Sequence, residues 1–401
     1  MKKFLALALV LLLSFSLISC GGQEAEEAPA PEATEEETVE EEAVEEEVEE
    51  EAVEEEEEAE EAAEEVVADE ETLIVDTEEV DRDSLKEITI GLVTDTGGID
   101  DKSFNQGSWE GVKYYAEKFE LPEGNIGYLQ STSDADYIPN LAQYSEDKKD
   151  LIVAAGFLFE ESLIKISEDF PEQKILFIDA VVDAPNVLNA LFAEHEGSYL
   201  VGVAAALKAQ DAGQDTVGFV GGMDFDTIQK FEAGFEQGVL SVDPEMNIVV
   251  EYVGDFSAPE DGQTLAAKMY DSGVYVIYHA AGGSGNGVIK EAKDRVQNGE
   301  DVWVIGVDKD QFSEGVYADG KSVILTSMLK GVGQASYDAS KQVAQDKFEG
   351  GTRIYDLKAN GVGIPLVNPN LKDEWVEQIN EFADKIINGE IEVDPVPTRV
   401  Q

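Results

Sequence analysis

Ile88-Thr89-Ile90-Gly91-Leu92-Val93-Thr94-Asp95-Thr96-Gly97-Gly98-Ile99-Asp100-Asp101-Lys102-Ser103-Phe104-Asn105-Gln106 passes from an apolar run, through a polar glycine-containing turn, into a segment of helical spacing. Residues 88–93 are short, continuous and rich in Ile and Val, which predicts a strand covered on both faces. Residues 104–119 then carry apolar side chains at helical intervals. The same unit recurs along the chain. Short apolar runs follow at 151–155, 174–178, 216–220, 248–253, 274–277 and 302–307, with helical spacing at 229–240, 263–270 and 288–296.

This alternation predicts an α/β fold with parallel sheets. Roughly 320 residues exceed what one such core holds, so two doubly wound parallel-sheet lobes with a hinge are expected. The half over 216–308 repeats the rhythm of 88–179. The expected N-terminal lobe is 86–194 with 312–348, and the C-terminal lobe is 195–311 with 349–401. Hinges are expected near 194–197 and near Gln311. In such sheets ligands bind outside the carboxyl ends of the strands, and two lobes turn those ends toward one cleft.

Upstream of the strands, Lys2 and Lys3 precede an apolar run that ends in Leu17-Ile18-Ser19-Cys20. This is the order of a secretion signal, and its end resembles a bacterial lipobox. Residues 1–19 are expected to be removed, leaving Cys20 to carry acyl chains, palmitate among them, that hold the protein to a membrane facing the periplasm or exterior. Residues 20–85 then read as the lipidated cysteine plus a disordered Glu-rich tether. Its stretch over 24–71 has no Lys or Arg and cannot bury enough apolar surface to offset ordering.

Cys20 is the single cysteine, which excludes an internal disulfide and a thiolate zinc cluster. The two histidines, His195 and His279, are too few for a multi-histidine metal site, and no cofactor is expected. His195 reads as a solvated or capping residue at a helix start. With 88 acidic against 27 basic residues and a net charge of −61, the chain repels nucleic acid and anionic lipid surfaces.

Polar groups collect after the strands: Asp95 to Gln106, Asp179, Tyr278 to Gly287, Asp308 to Gln311, and Thr326 to Gly331. Asp95-Thr96-Gly97 and Asp271-Ser272-Gly273 match the tripeptide of aspartic proteases. Those enzymes are all-β, and the second copy ends a helix where Gly is the ordinary stop. The glycines over 282–287 lack the Gly-Lys-Ser/Thr of a phosphate loop. No nucleophile with an adjacent base stands at a strand end, so turnover is not expected.

Asp95-x-Gly97 followed by Asp101-x-Ser103-Phe104-Asn105-Gln106 and Gly111 resembles the signature of the basic membrane protein family of bacterial lipoproteins. Phe231-Glu232-Ala233-Gly234-Phe235, Ala280 to Gly287, Gly306 to Gln311 and Thr326 to Lys330 agree with it, over about residues 86–370. The resemblance implies a periplasmic-binding-protein fold of the ribose-binding type. It also implies a monomeric, non-enzymatic receptor that captures purine nucleosides, of the inosine, guanosine and adenosine class, for an ABC permease and its ATPase.

Carried over by position, the resemblance implies that Phe104 and Phe231 sandwich the purine. Asp95, Asn105 and Asp179 then face the base edge, Asp308 and Lys330 hold the ribose hydroxyls, and Gly282 and Gly283 line the second lobe. The residue chemistry agrees. An aromatic face contributes about 1 to 3 kcal/mol to stacking on any base, and carboxylates accept from N–H groups or a diol. Lys330 can pair with Asp308 and donate to a hydroxyl, or the pair can be a salt bridge that closes the lobe. Two other readings stay open: a receptor of the same fold for a sugar or signalling molecule, and, ranked below it, a nucleoside hydrolase, which would need a metal-binding aspartate cluster that Asp95, Asp100 and Asp101 only imitate.

Overall fold

The computed structural model describes residues 81–400. The signal peptide, Cys20 and the tether as far as residue 80 lie outside the described residues. The end of the expected tether has defined structure: Arg82–Ser84 forms a 3-10 turn, and Arg82 pairs with Glu120.

The first lobe opens with β1 (Ile90–Thr94), α1 (Phe104–Lys118), β2 (Ile126–Leu129), α2 (Tyr137–Glu146), β3 (Leu151–Ala155), α3 (Glu160–Asp169), β4 (Ile175–Ile178) and β5 (Val187–Phe192). The second follows with α4 (Glu194–Asp211), β6 (Thr216–Gly221), α5 (Asp226–Val242), β7 (Asn247–Tyr252), α6 (Pro259–Asp271), β8 (Val276–Ala280), α7 (Gly285–Gln297) and β9 (Trp303–Asp308). A hairpin of β10 (Val316–Ala318) and β11 (Lys321–Ser322) leads to β12 (Ile324–Lys330), α8 (Val332–Ala344), β13 (Gly351–Tyr355), β14 (Val362–Gly363) and α9 (Asp373–Ile387).

The two six-stranded sheets run β13-β5-β4-β3-β1-β2 and β14-β12-β9-β8-β6-β7. Each is parallel except for the two-residue edge strand β14, which pairs antiparallel to β12. Along β3 the side chains alternate between two apolar layers. Leu151 and Val153 join the layer under α1, whereas Ile152 and Ala154 join the layer with Tyr137 and Leu163. That is why the run reads as continuously apolar: both faces are covered. In the second lobe α4 and α5 cross so closely that a Cβ on Gly234 would lie 2.1 Å from the His195 carbonyl oxygen, which only glycine permits.

The expected lobe boundaries are corrected in two places. β12, placed by sequence in the first lobe, belongs to the second sheet; β13, placed in the second, pairs with β5 in the first. The chain passes between lobes at Ala193, at Gly331 and through 356–361, because α4 packs on α5 and β12 while α8 packs on α1, β3 and β4. Gln311 is not a crossing point, since β9 before it and β12 after it share one sheet. The small hairpin over 316–322 interrupts the rhythm there and imitates an exchange of lobes.

His195 is also corrected. It is half-buried in the first turn of α4, caps nothing, and its Nδ1 is buried without a hydrogen-bond partner; burial lowers its pKa. His279 is buried in β8, where burial pushes its pKa down to about 4. Among the described residues no helix is long and apolar enough to cross a membrane.

Candidate ligand-binding site

Both sheets share one strand order, β2-β1-β3-β4-β5 matching β7-β6-β8-β9-β12, and the order reverses between β1 and β3 and between β6 and β8. Crevices form at such switch points. The two face each other around a cavity of about 500 Å³, part of it open to solvent, within the range of small-ligand sites. Strand ends and the turns after them line it: Asp95, Gly156 and Asp179 from the first lobe, Ala280, Asp308 and Lys330 from the second.

The turn after β1 is a bonded network. Asp95 Oδ1 accepts from the Gly97 amide at 2.9 Å and from Asn105 Nδ2 at 2.8 Å, and the Asp95 amide donates to Asn105 Oδ1 at 3.3 Å. Asn105 Nδ2 also reaches Asp101 Oδ2 at 3.1 Å. Gly156 is required behind it, with φ 123°, since a Cβ there would lie 2.9 Å from Asp95 Oδ2. Burial pushes the Asp95 and Asp101 carboxyls up to about 6, against the hydrogen bonds that favour their ionised forms.

Asp179 directly follows β4 and Asp308 ends the equivalent β9 in the other lobe, and both have left-handed backbones, with φ of 78° and 66°. Such strain in non-glycine residues concentrates at functional sites. Burial pushes each carboxyl up to about 6, although Lys330 opposes the rise in both. Asp308 Oδ2 accepts from Ser103 Oγ across the cleft. Asp179 Oδ2 accepts from Lys330 Nζ at 2.7 Å, whereas its Oδ1 is buried with no hydrogen-bond partner in the protein.

Lys330 corrects one expectation. Its ion-pair partners are Asp179 at 2.7 Å and Glu194 Oε1 at 3.1 Å, not Asp308. Burial alone would lower its pKa, but Asp179, Glu194 and Asp308 together hold it above the ordinary lysine value, so it stays charged. Glu194, buried yet also paired with Lys230 at 3.2 Å, is held below the usual carboxylate range by the two lysines. The rings of Phe104, Phe192 and Phe231 lie 5.2, 5.0 and 5.3 Å from the ammonium, close enough for cation–π attraction.

The structure therefore brings Asp95, Phe104, Asn105, Asp179, Phe231, Gly282, Asp308 and Lys330 to one cavity. Phe104 is half-buried at its wall, while Phe231 is 2% exposed and sits beside Lys330. Gly283 is absent from the lining; a Cβ there would approach Asp101 Cβ to 3.9 Å, which places it at the seam between lobes. Asp100 is exposed and stands outside the cavity lining. Phe157, Phe256 and Ile228 line the cavity without having been expected. The position of Phe157 directly after Gly156 at the end of an apolar run was a readable signal. Phe256 lies within the loop Gly254-Asp255-Phe256-Ser257, which offered none.

Comparison with known proteins agrees with this geometry. Residues 88–395 match the family described as ABC transporter substrate-binding protein PnrA-like. The chain is 40% identical to a CD4+ T-cell-stimulating antigen of Listeria innocua, covering 80% of this chain and 92% of that protein. It is 37% identical to the ABC transporter nucleoside-binding protein BmpA of Lactococcus lactis, covering 77% and 89%. Among solved structures, an ABC transporter solute-binding protein of Aeropyrum pernix superposes with a TM-score of 0.68 at 28% identity, over 76% of this chain and 92% of that one.

The two lobes are thus those of the periplasmic-binding-protein fold, whose members of this kind serve ABC transporters outside the cytoplasm. With its strand order, its interlobe cavity and its matched residues in agreement, the chain belongs to the PnrA-like family of ABC transporter substrate-binding proteins.

Proposed function

We propose that this protein captures purine nucleosides of the inosine, guanosine and adenosine class and delivers them to an ABC permease with its ATPase, held to the membrane by acyl chains on Cys20. The observation that carries the reading is the cavity itself, in which aromatic walls meet buried carboxylates and a single lysine. Phe104 offers a stacking face, with Phe231 beside Lys330 and Phe256 on the wall of the second lobe. The unpartnered Asp179 Oδ1 requires a donor, which a purine N–H supplies. Asp308 and the remaining donor capacity of Lys330 suit ribose hydroxyls. Asp95 and Asn105 are bonded mainly to each other and to Asp101, so they shape the base pocket more than they read it.

A cavity of four buried aspartates and one lysine opposes a phosphate, so nucleosides should bind and nucleotides should not. The similarity to a protein named as nucleoside-binding supports the same class. Thermal-shift and calorimetric titrations with inosine, guanosine, adenosine, their monophosphates and free pentoses test it. Binding at a hundredfold excess over Kd should stabilise by about 2.7 kcal/mol. Stabilisation by a free sugar and by none of the nucleosides overturns the reading. For the anchor, Cys20→Ser should release the protein from membranes; retention there would remove that part.

A further inference from the structure

Ser103 immediately precedes α1, where a serine hydroxyl ordinarily accepts an amide of the first turn. Here it makes no such bond. Asp101 does so instead, its carboxylate accepting from the amides of Ser103, Asn105 and Gln106 at 3.0, 2.7 and 3.0 Å. The Ser103 hydroxyl is thereby free to donate across the cleft to Asp308 Oδ2. Both residues are buried, so water does not compete for the bond while the lobes are together.

The neighbours of Ser103 cross the cleft as well. The Asp101 carbonyl accepts from Asn286 Nδ2 at 3.1 Å, and the Lys102 carbonyl accepts from Gln311 Nε2 at 2.9 Å. Three successive residues of one turn, with Lys102 at φ 59°, thus bond three different side chains of the second lobe. Among these partners only Asp308 also lines the ligand cavity.

We propose that Ser103 is a positioning residue: on closure its hydroxyl holds Asp308 Oδ2, leaving Oδ1 as the oxygen that meets a ligand hydroxyl. The inference rests on the reading of Asp308 as a ribose contact. A carboxylate fixed at one oxygen presents the other in one direction, which sharpens discrimination between a sugar that has the hydroxyl and one that lacks it. Because opening breaks the Ser103 bond, the same contact favours the closed state that binds ligand.

The test compares the intact protein with Ser103→Ala and Asn286→Ala, using inosine, 2′-deoxyinosine and 3′-deoxyinosine. A hydrogen bond to a charged group implies that Ser103→Ala raises the inosine Kd by about ten- to a hundredfold. It should also lower the preference for inosine over the deoxynucleoside that lacks the contacted hydroxyl by at least about threefold. Asn286→Ala loosens closure without touching Asp308, so it should weaken all three ligands equally. An unchanged preference in Ser103→Ala overturns the proposal, and Ser103→Gly serves identically if the alanine variant does not fold. Small-angle scattering separates this from the functional reading. Should the parent protein bind no purine nucleoside, that reading fails, whereas Ser103→Ala must still enlarge the unliganded radius of gyration; an unchanged radius overturns the positioning role.

Discussion

The first lobe brings to the cleft polar groups already bonded to one another, whereas the second brings apolar surface and groups that reach across. Both share a strand order, and both place an aspartate with a left-handed backbone at the carboxyl end of the fourth strand, Asp179 just after it and Asp308 as its last residue. They diverge after the first strand. β1 leads into Asp95, Asp101 and Asn105, which satisfy each other, while β6 leads into Gly221-Gly222 and on to Ile228 and Phe231 on α5. One fold thus carries two kinds of wall. A polar wall must be fixed before ligand arrives, because half-satisfied buried polar groups are costly; an apolar wall needs only shape. Lys330 joins the two, pairing Asp179 of the first lobe with Glu194 of the second.

The comparison breaks most completely at that lysine. Lys330→Met leaves the buried Asp179 without its cation and Glu194 with Lys230 alone, and removing one partner of a buried pair costs about 3 to 5 kcal/mol. Urea denaturation at neutral pH should show a loss of that size, with nucleoside binding abolished. The deficit should shrink at pH 5, where Asp179, with its pKa pushed up to about 6, is protonated. Unaltered stability would mean that the two lobes do not depend on this bridge.

Aromatic truncation sharpens the contrast at a smaller scale. Phe104→Ala should raise the nucleoside Kd by about ten- to a hundredfold, the range for one base stacked on one ring. Phe256, half-buried on the second lobe, tests the facing wall. Calorimetry on Phe104→Ala and Phe256→Ala separates the outcomes. Comparable losses make the aromatic contact two-sided, and a loss confined to Phe104 assigns base recognition to the first lobe.

Much of this contrast was legible in residues. The strands at 88–93, 151–155 and 302–307 declare themselves because both their faces are covered, so nearly every side chain is apolar, Thr89 being the exception. β13 does not, since Thr352 and Arg353 on an exposed edge carry no alternation, and the third passage between lobes was hidden with it. Asp95, Asp179 and Asp308 were readable as polar residues directly after apolar runs. Glu194 was not, although it is 1% exposed: at a helix start a glutamate reads as a solvated charge, and only the folded chain brings Lys230 and Lys330 to it. The partner of Lys330 was misread for the same reason. Asp179 and Lys330 are far apart in sequence and sit in different lobes, so only the folded chain brings them together.

The mildest test concerns protons. Asp95, Asp101 and Asp179 in the first lobe and Asp308 in the second are all pushed up to about 6 by burial, from the ordinary aspartate value of 3.8. Between those values the folded chain binds more protons than the unfolded one, so stability rises as pH falls from 7.5 toward 5. Each carboxyl that takes up its proton over that interval adds about 1.4 kcal/mol, so the unliganded Tm should climb by at least about 2 to 4 °C, the shift expected for about 1 kcal/mol in a chain of this size. Ligand reverses the sense: a nucleoside donating to these carboxylates favours their ionised forms, so the Tm gain it confers should narrow below pH 6. Relief of general acidic repulsion acts in the same direction as the first effect, and variants separate the two. Asp95→Asn should flatten the unliganded slope, because it removes one titrating group from the prebuilt wall. Asp308→Asn should mainly flatten the ligand-dependent narrowing. Equal effects of both variants on both slopes would show that the two walls titrate as one cluster, and the division of labour between the lobes would then hold for shape but not for charge.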